Sequence, residues 1–476
     1  MTEAGDVNHR WQVISGSIAQ VAQLGIGFLT TVLIARLLSA EVFGLYFFLI
    51  AIITIADGPI VGFCASARKR FSETDAPQSE LLGAVLLTIF AATLLYTTLF
   101  IFLADYLPES NTQHLPVMLA ILFPFYVGSN IFLSLISATG KSGIEMWLST
   151  ARNTIERAIQ IALILAGFKI TGLITGAIIA AMLAGLAALY YLNIRPTIPS
   201  RATLRSMWEF ARYSTFNGIV NKVASAFDKL LLGFVFATGA VGLYEVSLKL
   251  VIPALVITSS ITAGLMPRIS NLVSRGEDIT EHISRNTAFT SILAIPVFFG
   301  ALVFGETLVV TVFSSKYAGS GGFLIWLALA NIGQTQASVH SAIVRGLDLP
   351  RTELKIYAST TLLNVVAGIA LLYLLGPIGV AVATAFTFFT RWGLQAVVVR
   401  EHAPQATLLP RPFFSQLFAG LCMYGVLLAL LTMVPLQSWI NVVLLVGAGA
   451  IIYSGTLFAA SRTIRTTMFN LLERHY

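Results

Sequence analysis

The chain has 476 residues, of which 57% are hydrophobic and only 11% are charged, and its formal net charge is +7. A soluble domain carries about 25% charged residues because water must solvate its surface, so an ordinary soluble protein is excluded. Disorder, collagen-like repeats and a disulfide scaffold are excluded too, since the two cysteines, Cys64 and Cys422, lie in apolar stretches. The composition therefore predicts a polytopic membrane protein.

Fourteen apolar segments are long enough to cross a bilayer, whose hydrocarbon core requires roughly 20 helical residues. In chain order they are 11–38, 42–65, 81–103, 115–137, 149–168, 170–193, 212–236, 240–264, 286–312, 322–344, 355–375, 377–399, 412–434 and 438–460. One long helix is the alternative at the two shortest links, which lie at Lys169 and around Gly376. The first segment is too long for a signal-peptide core, so we expect it to stay in the mature protein.

Positive charge alternates between the connections that join these segments. Lys and Arg concentrate in every second connection, and only Arg36, Lys169 and Lys316 lie on the opposite side. Because positive charge is retained in the cytoplasm, we expect both termini there and the chain in the plasma or inner membrane. The same distribution explains the basic net charge, so no nucleic-acid partner is expected.

Enzymatic chemistry finds no support in the sequence. No connection has room for a soluble catalytic domain, and no residues have the spacing of a metal site or a catalytic triad. We therefore expect a protein that is not an enzyme and that uses no cofactor beyond a possible coupling ion, H⁺ or Na⁺.

An internal repeat organises the chain. Val42–Tyr46 recurs as Ala240–Tyr244 at an offset of 198 residues. An even number of segments in each copy gives both copies the same orientation, related by an axis along the membrane normal. We predict an all-α fold of two parallel six-helix lobes around a central cavity, with an N-terminal lobe at 1–194, a C-terminal lobe at 195–411, and two extra helices within 412–476.

Polar residues inside the segments indicate the site. A charged side chain at the bilayer centre costs about 2.5–3.5 kcal/mol, so such residues should face protein or water. Lysine is a compact charge suited to phosphate, and a carboxylate can accept a coupling ion. The predicted substrate-binding residues are Gln23, Asn217, Asn221, Lys222, Lys229, Lys249 and Arg345, and the predicted ion-coupling residues are Asp57, Asp228 and Glu245.

Internal pairing is the alternative interpretation of these charges. Asp228 would then pair with Lys222 or Lys229, and Glu245 with Lys249, only to fix the packing of helices. Asp57 precedes a Gly-Pro pair, and proline removes a backbone donor and kinks a helix. Its carboxylate is therefore expected at a hydrated break, either as a cap or as a functional acid.

Short motifs along most of the chain resemble those of oligosaccharide flippases of the Wzx type. They are Ala35–Leu38, Phe43–Tyr46, Asp57–Gly58, Asp228–Gly233, Met266–Ser270, Lys316–Ala318, Arg345–Asp348 and Gly376–Ala381. That family belongs to the superfamily of multidrug, oligosaccharidyl-lipid and polysaccharide exporters, and many of its members have two six-helix lobes and two extra helices. The resemblance implies alternating-access transport of a polyprenyl-(pyro)phosphate-linked oligosaccharide to the outer leaflet, for lipopolysaccharide or other surface glycans.

The partners that this resemblance implies are the polyprenyl-linked glycan, membrane lipids and a polysaccharide polymerase or glycosyltransferase. Within the same superfamily, a flippase for lipid-linked peptidoglycan precursor and a multidrug cation extruder are the alternatives. Three carboxylates balance the three predicted lysines, whereas a cation extruder would need an acidic surplus. A scaffold of a polysaccharide-assembly complex that transports nothing is the alternative from another class.

Overall fold

The structure is a computed structural model in which the described residues are 25–73, 76–102, 115–434 and 439–466. Every regular element in these ranges is a helix. By the proximity of their Cα atoms, the described residues divide into two compact units, one ending at Gly242 and the other beginning at Leu243.

The first unit is built from helices that pack mainly in pairs. They are α1 (Gly25–Leu37), α2 (Ala40–Phe71), α3 (Gln78–Phe102), α4 (Leu115–Ala138), α5 (Ser142–Leu165), α6 (Lys169–Leu192), α7 (Arg201–Val235) and the start of α8 (Thr238–Val251). The most extensive contact is between α2 and α7, and α6 packs against both α4 and α5.

Serine caps define where the two most extensively packed helices begin. The backbone N–H of Val42 donates to Ser39 Oγ at 3.4 Å before α2, and that of Thr203 donates to Ser200 Oγ at 3.2 Å before α7. Asn193 ends α6 in the left-handed conformation, with φ of 49°. The two serine hydroxyls accept from backbone N–H groups that the start of a helix leaves without a partner. The left-handed backbone of Asn193 stops α6.

The helix of the seventh apolar segment is longer than the expected range of 212–236. It begins at Arg201, because the mixed polar and apolar residues between the cap and the membrane segment continue the same helix. Hydropathy detects only the apolar part of a helix. It therefore predicted the membrane segment but not the amphipathic extension that precedes it.

The second unit continues from the remainder of α8. It contains a 3₁₀ turn (Ile252–Leu255), α9 (Val256–Ser274), α10 (Thr280–Phe289), α11 (Ala294–Val312), a second 3₁₀ turn (Ser315–Tyr317), α12 (Gly321–Gly346), α13 (Pro350–Leu375), α14 (Ile378–His402), α15 (Arg411–Leu431) and α16 (Trp439–Ala460). α12 packs against α14, α9 and α11. α15 and α16 share an apolar cluster with α11, formed by side chains such as Phe299, Met423 and Tyr453.

Local chemistry sets helix boundaries at two places in the second unit. Pro253 lies in the 3₁₀ turn between α8 and α9, where its missing backbone N–H is tolerated. α10 begins where the side chain and backbone of Thr280 donate hydrogen bonds to Asp278, and these bonds lower the pKa of that carboxyl. The two short links are real divisions, since α6 begins at Lys169 and α14 begins at Ile378.

Ten spans in the described part of the chain are long and apolar enough to cross a membrane, two of them joining α8 with α9 and α10 with α11. α5, α7 and α12 are also long enough, but they carry more polar residues. The predicted all-α, multi-pass membrane fold is therefore confirmed. The predicted lobes at 1–194, 195–411 and 412–476 stay a prediction, because they follow from the internal repeat and the division at Gly242 follows from proximity alone.

Candidate functional site

α2 packs antiparallel against α7 and the start of α8 along nearly its whole length, and we call this contact the α2–α7 seam. As residue numbers rise along α2, those of the facing residues fall. The facing pairs are Gly44 with Thr238, Phe48 with Phe234, Asp57 with Lys222, Gly62 with Ser214 and Arg70 with Ser206. The seam is therefore closed from one end of α2 to the other.

Glycines allow the two backbones of the seam to meet near its middle. A Cβ atom added at Gly218 would lie 2.7 Å from the carbonyl oxygen of Gly58, and one added at Gly62 would overlap the backbone of Thr215. Ser214 Oγ donates to the Gly62 carbonyl oxygen at 2.6 Å. Side chains between the helices are excluded here, as in other close membrane-helix contacts.

An ion pair lies beside these glycines. Lys222 Nζ is 2.9 Å from Asp57 Oδ1 and 3.0 Å from Oδ2. The Asp57 side chain is 1% exposed and the Lys222 side chain 28% exposed. The carboxylate is thus enclosed, whereas the lysine reaches the surface of the unit.

The expectation of a hydrated break at Asp57 is wrong. α2 continues through Pro59 as one helix from Ala40 to Phe71, and Asp57 is buried within it. The physical reason is that α7 covers this part of α2 and supplies the cation that makes burial of the carboxylate tolerable.

Other predicted residues of the first unit lie on α7. Asn217 and Asn221 are exposed, and Asn221 Nδ2 donates to the Asn217 carbonyl oxygen at 2.8 Å. We call these two residues the amide stripe. Lys229 Nζ lies 5.5 Å from the centre of the Phe47 ring, and Asp228 is partly buried on the same helix. Gln23 lies outside the described residues.

The predicted residues of the second unit include another ion pair. Lys249 Nζ is 2.8 Å from Glu245 Oε1, and both residues lie on α8. This is the internal pairing that the packing interpretation anticipated. Arg345 is exposed on α12, and its Nε donates to the Ser341 carbonyl oxygen at 3.3 Å.

A buried polar network on α5 was missed at the sequence level. Tyr46 Oη donates to Glu156 Oε1 at 3.1 Å. Gln160 Nε2 lies 3.1 Å from Tyr46 Oη and 3.3 Å from Glu156 Oε1, and it donates to the Leu173 carbonyl oxygen at 3.0 Å. Glu156 is 7% exposed and Gln160 is fully buried. This network joins α2, α5 and α6.

Arg152 extends the polar face of α5 toward α4. Its Nη1 donates to Asn130 Oδ1 at 2.6 Å, and its guanidinium lies 4.8 Å from the centre of the Tyr126 ring. Arg152 is itself buried, at 7% exposure. The missed signal was spacing, because Arg152, Glu156 and Gln160 are four residues apart and share a helical face.

The second unit contains a comparable buried network. Gln395 Nε2 donates to both carboxylate oxygens of Glu353 at 3.1 Å. Arg391 Nε donates to Thr360 Oγ1 at 2.9 Å, and its guanidinium lies 4.2 Å from the centre of the Tyr357 ring. Partners of this kind make a buried charge tolerable between helices, so the network accounts for polar residues in α13 and α14.

Comparison with known proteins places these features in a wider context. The sequence matches the polysaccharide biosynthesis protein family over residues 33–321. It is 25% identical over 472 residues to the probable flippase AglR of Haloferax volcanii, covering 96% of each chain. It is 26% identical over 475 residues to the probable low-salt glycan biosynthesis flippase Agl15 of the same organism, covering 96% of this chain and 97% of that protein.

Among solved structures, the lipid II flippase MurJ in an inward closed conformation is similar, with a TM-score of 0.76 at 16% sequence identity. The match covers 94% of this chain and 99% of that chain. At this identity the likeness shows a common fold, which is that of a multi-pass helical membrane protein.

Proposed function

Because the chain belongs to the polysaccharide biosynthesis protein family, we propose that it is a flippase for a lipid-linked glycan. It moves a polyprenyl-(pyro)phosphate-linked oligosaccharide from the cytoplasmic to the outer leaflet by alternating access, and so supplies glycan assembly. The observation that carries this proposal is the similarity, over 96% of the chain, to two proteins named as flippases.

The charges within the membrane helices support the proposal. Ionisable residues inside membrane segments are costly and mark transport pathways more often than packing contacts. In the first unit, α7 carries the partly exposed cation of Lys222, which suits a phosphate, and the exposed amide stripe, whose amides can bond to sugar hydroxyls. Lys229 is a further cation on α7, and Lys249 and Arg345 of the second unit remain predicted substrate-binding residues.

The seam also supports the internal repeat on which alternating access depends. A Cβ added at Gly44 would overlap the Thr238 carbonyl oxygen, and one added at Gly242 would overlap the Ala40 carbonyl oxygen. The offset of 198 residues exchanges these two contacts. A two-fold axis along the membrane normal produces such reciprocal contacts, in keeping with parallel lobes at 1–194 and 195–411.

The proposal includes an orientation and partners. Both termini face the cytoplasm of a plasma or inner membrane, with H⁺ or Na⁺ coupling at Asp57, Asp228 or Glu245. The extra helices within 412–476 are an appendage to the lobes. A polysaccharide polymerase or glycosyltransferase acts on the same lipid-linked glycan.

Reconstitution tests the function directly. Proteoliposomes containing the full chain and a lipid-linked oligosaccharide are treated with an external enzyme that modifies only accessible head groups. We expect protein-dependent modification of head groups that began in the inner leaflet. Access that depends on lipid-linked peptidoglycan precursor alone would identify the alternative flippase, and movement of drug cations without glycan would overturn the proposal.

A further inference from the structure

We propose that Lys222 exchanges partners during transport. It binds Asp57 when the α2–α7 seam is closed, and it binds the phosphate of the lipid-linked substrate when the seam opens. This inference rests on the proposed function, because it takes the competing anion to be the phosphate of that substrate. Binding of the substrate phosphate and opening of the seam are then coupled through the Lys222 side chain.

The internal repeat implies that the seam opens during transport. It places α2 in the first lobe and α7 in the second, so relative movement of the lobes must change the contact between these helices. In the closed seam, the close approach of Gly218 to Gly58 leaves no room for a side chain between the two backbones. The seam is therefore suited to two discrete arrangements, one closed and one open.

The ion pair lies where such a change would break it. Lys222 comes from α7 and Asp57 from α2, so the 2.9 Å contact exists only while the helices touch. The stem of Lys222 also crosses Gly58, because a Cβ there would lie 3.3 Å from Lys222 Cγ. Withdrawal of Lys222 would uncover Asp57 and let water reach it, which removes the penalty of leaving a buried carboxylate without its cation.

Lys222 is positioned to reach a second anion without leaving α7. Its side chain is 28% exposed, so its ammonium is not sealed within the seam as the Asp57 carboxylate is. The lysine stem is flexible and its ammonium is a point charge with three donors, so it can turn from one anion to another.

The exchange predicts effects of opposite sign for the two halves of the pair. The test measures binding of polyprenyl pyrophosphate, with no sugar attached, to the purified full-length protein. We expect Lys222→Gln to weaken binding at least about tenfold, because it removes the phosphate partner. We expect Asp57→Asn to tighten binding about fivefold, because it removes the competitor that keeps most of Lys222 occupied.

A matched control is available on the same helix. Glu209 pairs with Arg205 at 3.6 Å in an exposed position, so Glu209→Gln makes the same chemical change as Asp57→Asn outside the seam. Binding in this variant should stay within about twofold of the parent. If Asp57→Asn and Lys222→Gln both weaken binding, or if neither changes it, the pair is structural and the exchange is wrong.

Accessibility of the seam gives a second measurement that does not require an intact ion pair. Ser214→Cys places a thiol at the seam, in a parent where Cys64→Ser and Cys422→Ser remove the native thiols. Polyprenyl pyrophosphate should accelerate maleimide modification of this thiol at least about threefold, whereas polyprenol without phosphate should not. Equal rates with and without polyprenyl pyrophosphate would overturn the exchange.

Failure of the exchange is distinct from failure of the proposed function. If the parent protein flips lipid-linked glycan but the two substitutions do not act in opposite directions, only the exchange is wrong. If the parent protein neither binds polyprenyl pyrophosphate nor flips glycan, the proposed function fails and the exchange fails with it.

Discussion

Two ion pairs of this protein each join a carboxylate to a lysine and are buried to nearly the same degree, yet they differ in which helices they connect. Asp57–Lys222 and Glu245–Lys249 have N–O distances of 2.9 Å and 2.8 Å. In each, the carboxylate is 1% exposed, and the lysines are 28% and 26% exposed. The first pair joins α2 to α7, and the second joins residues four apart on α8.

The difference concerns movement. A pair at i and i+4 keeps its geometry for as long as the helix exists, whatever neighbouring helices do. A pair between helices exists only in arrangements that bring those helices together. Equal distance and equal burial therefore do not imply equal function. The pair in the seam must break when its two helices separate, so it can couple a bound ligand to a change in helix packing.

Replacing the lysine of each ion pair tests this difference, and we expect this test to give the largest change in flipping rate. We expect Lys222→Gln to lower the rate of glycan flipping at least about tenfold, because it leaves both Asp57 and the substrate phosphate without their cation. Lys249→Gln should lower the rate by only about threefold, because its partner lies on its own helix. The measurement is the initial rate in proteoliposomes at matched protein content. Equal losses of flipping rate in the two variants would show that the two ion pairs do not differ in function.

Widening the seam separates the effect of packing from that of charge. Gly218→Ala introduces a Cβ that would lie 2.7 Å from the Gly58 carbonyl oxygen, so we expect a destabilisation of about 1–3 kcal/mol from overpacking. The measurement is the midpoint of thermal unfolding in detergent. Gly425→Ala is the control, because no atom lies within 4 Å of its added Cβ, and it should stabilise α15 by about 0.5–1 kcal/mol. A similar response at both positions would contradict a closed seam.

Much of the fold could be predicted from the sequence because it depends on local patterns. Hydropathy identified the apolar segments, and a helix-breaking sequence marked the division at Gly376, which adopts a φ of 70°. The Glu245–Lys249 pair was also readable, since a spacing of four residues is a local signal. These features need no knowledge of which helices are neighbours.

The central pair of the site could not be predicted in the same way. Asp57 and Lys222 are 165 residues apart, and nothing local to either residue specifies the other. The burial of Arg152 could not be predicted for a related reason, because the positions of cations along a chain do not show which of them a neighbouring helix covers. Its contacts with Asn130 and Tyr126 come from a separate helix and appear only when α4 and α5 are packed.

α2 makes another buried polar contact, in which its own side chain carries no charge. Tyr46 contacts the α5 network through one hydroxyl, whereas Asp57 contacts α7 through a charge. Tyr46→Phe removes the hydrogen bond to Glu156 and should destabilise the protein by about 1 kcal/mol. The flipping rate should stay within about twofold of the parent, because no ion pair in the seam is altered. Loss of flipping at unchanged stability would assign the transport role to the α5 network instead.

Removing the cap at the start of α7 has the smallest expected effect. It tests whether the contact between α2 and α7 persists without that cap. Ser200 Oγ accepts from the Thr203 backbone N–H at 3.2 Å, and the Ser200 backbone N–H donates to Glu80 at 2.9 Å. Ser200→Ala removes only the first of these bonds, so we expect a loss of about 0.5–1 kcal/mol, at the low end because water can replace an exposed cap. Hydrogen exchange should quicken in the first turn of α7 and stay unchanged at Lys222.

Ser259→Ala is the matched control for this substitution. Ser259 is exposed within α9, and its hydroxyl bonds only to the Val256 carbonyl oxygen of its own helix, so stability should change by less than about 0.5 kcal/mol. If the glycine contacts and the ion pair fix α7 against α2, loosening the first turn leaves flipping within about twofold of the parent rate. If Ser200→Ala instead lowers flipping as much as Lys222→Gln does, the seam depends on its cap, and the ion pair is not the element that controls its opening.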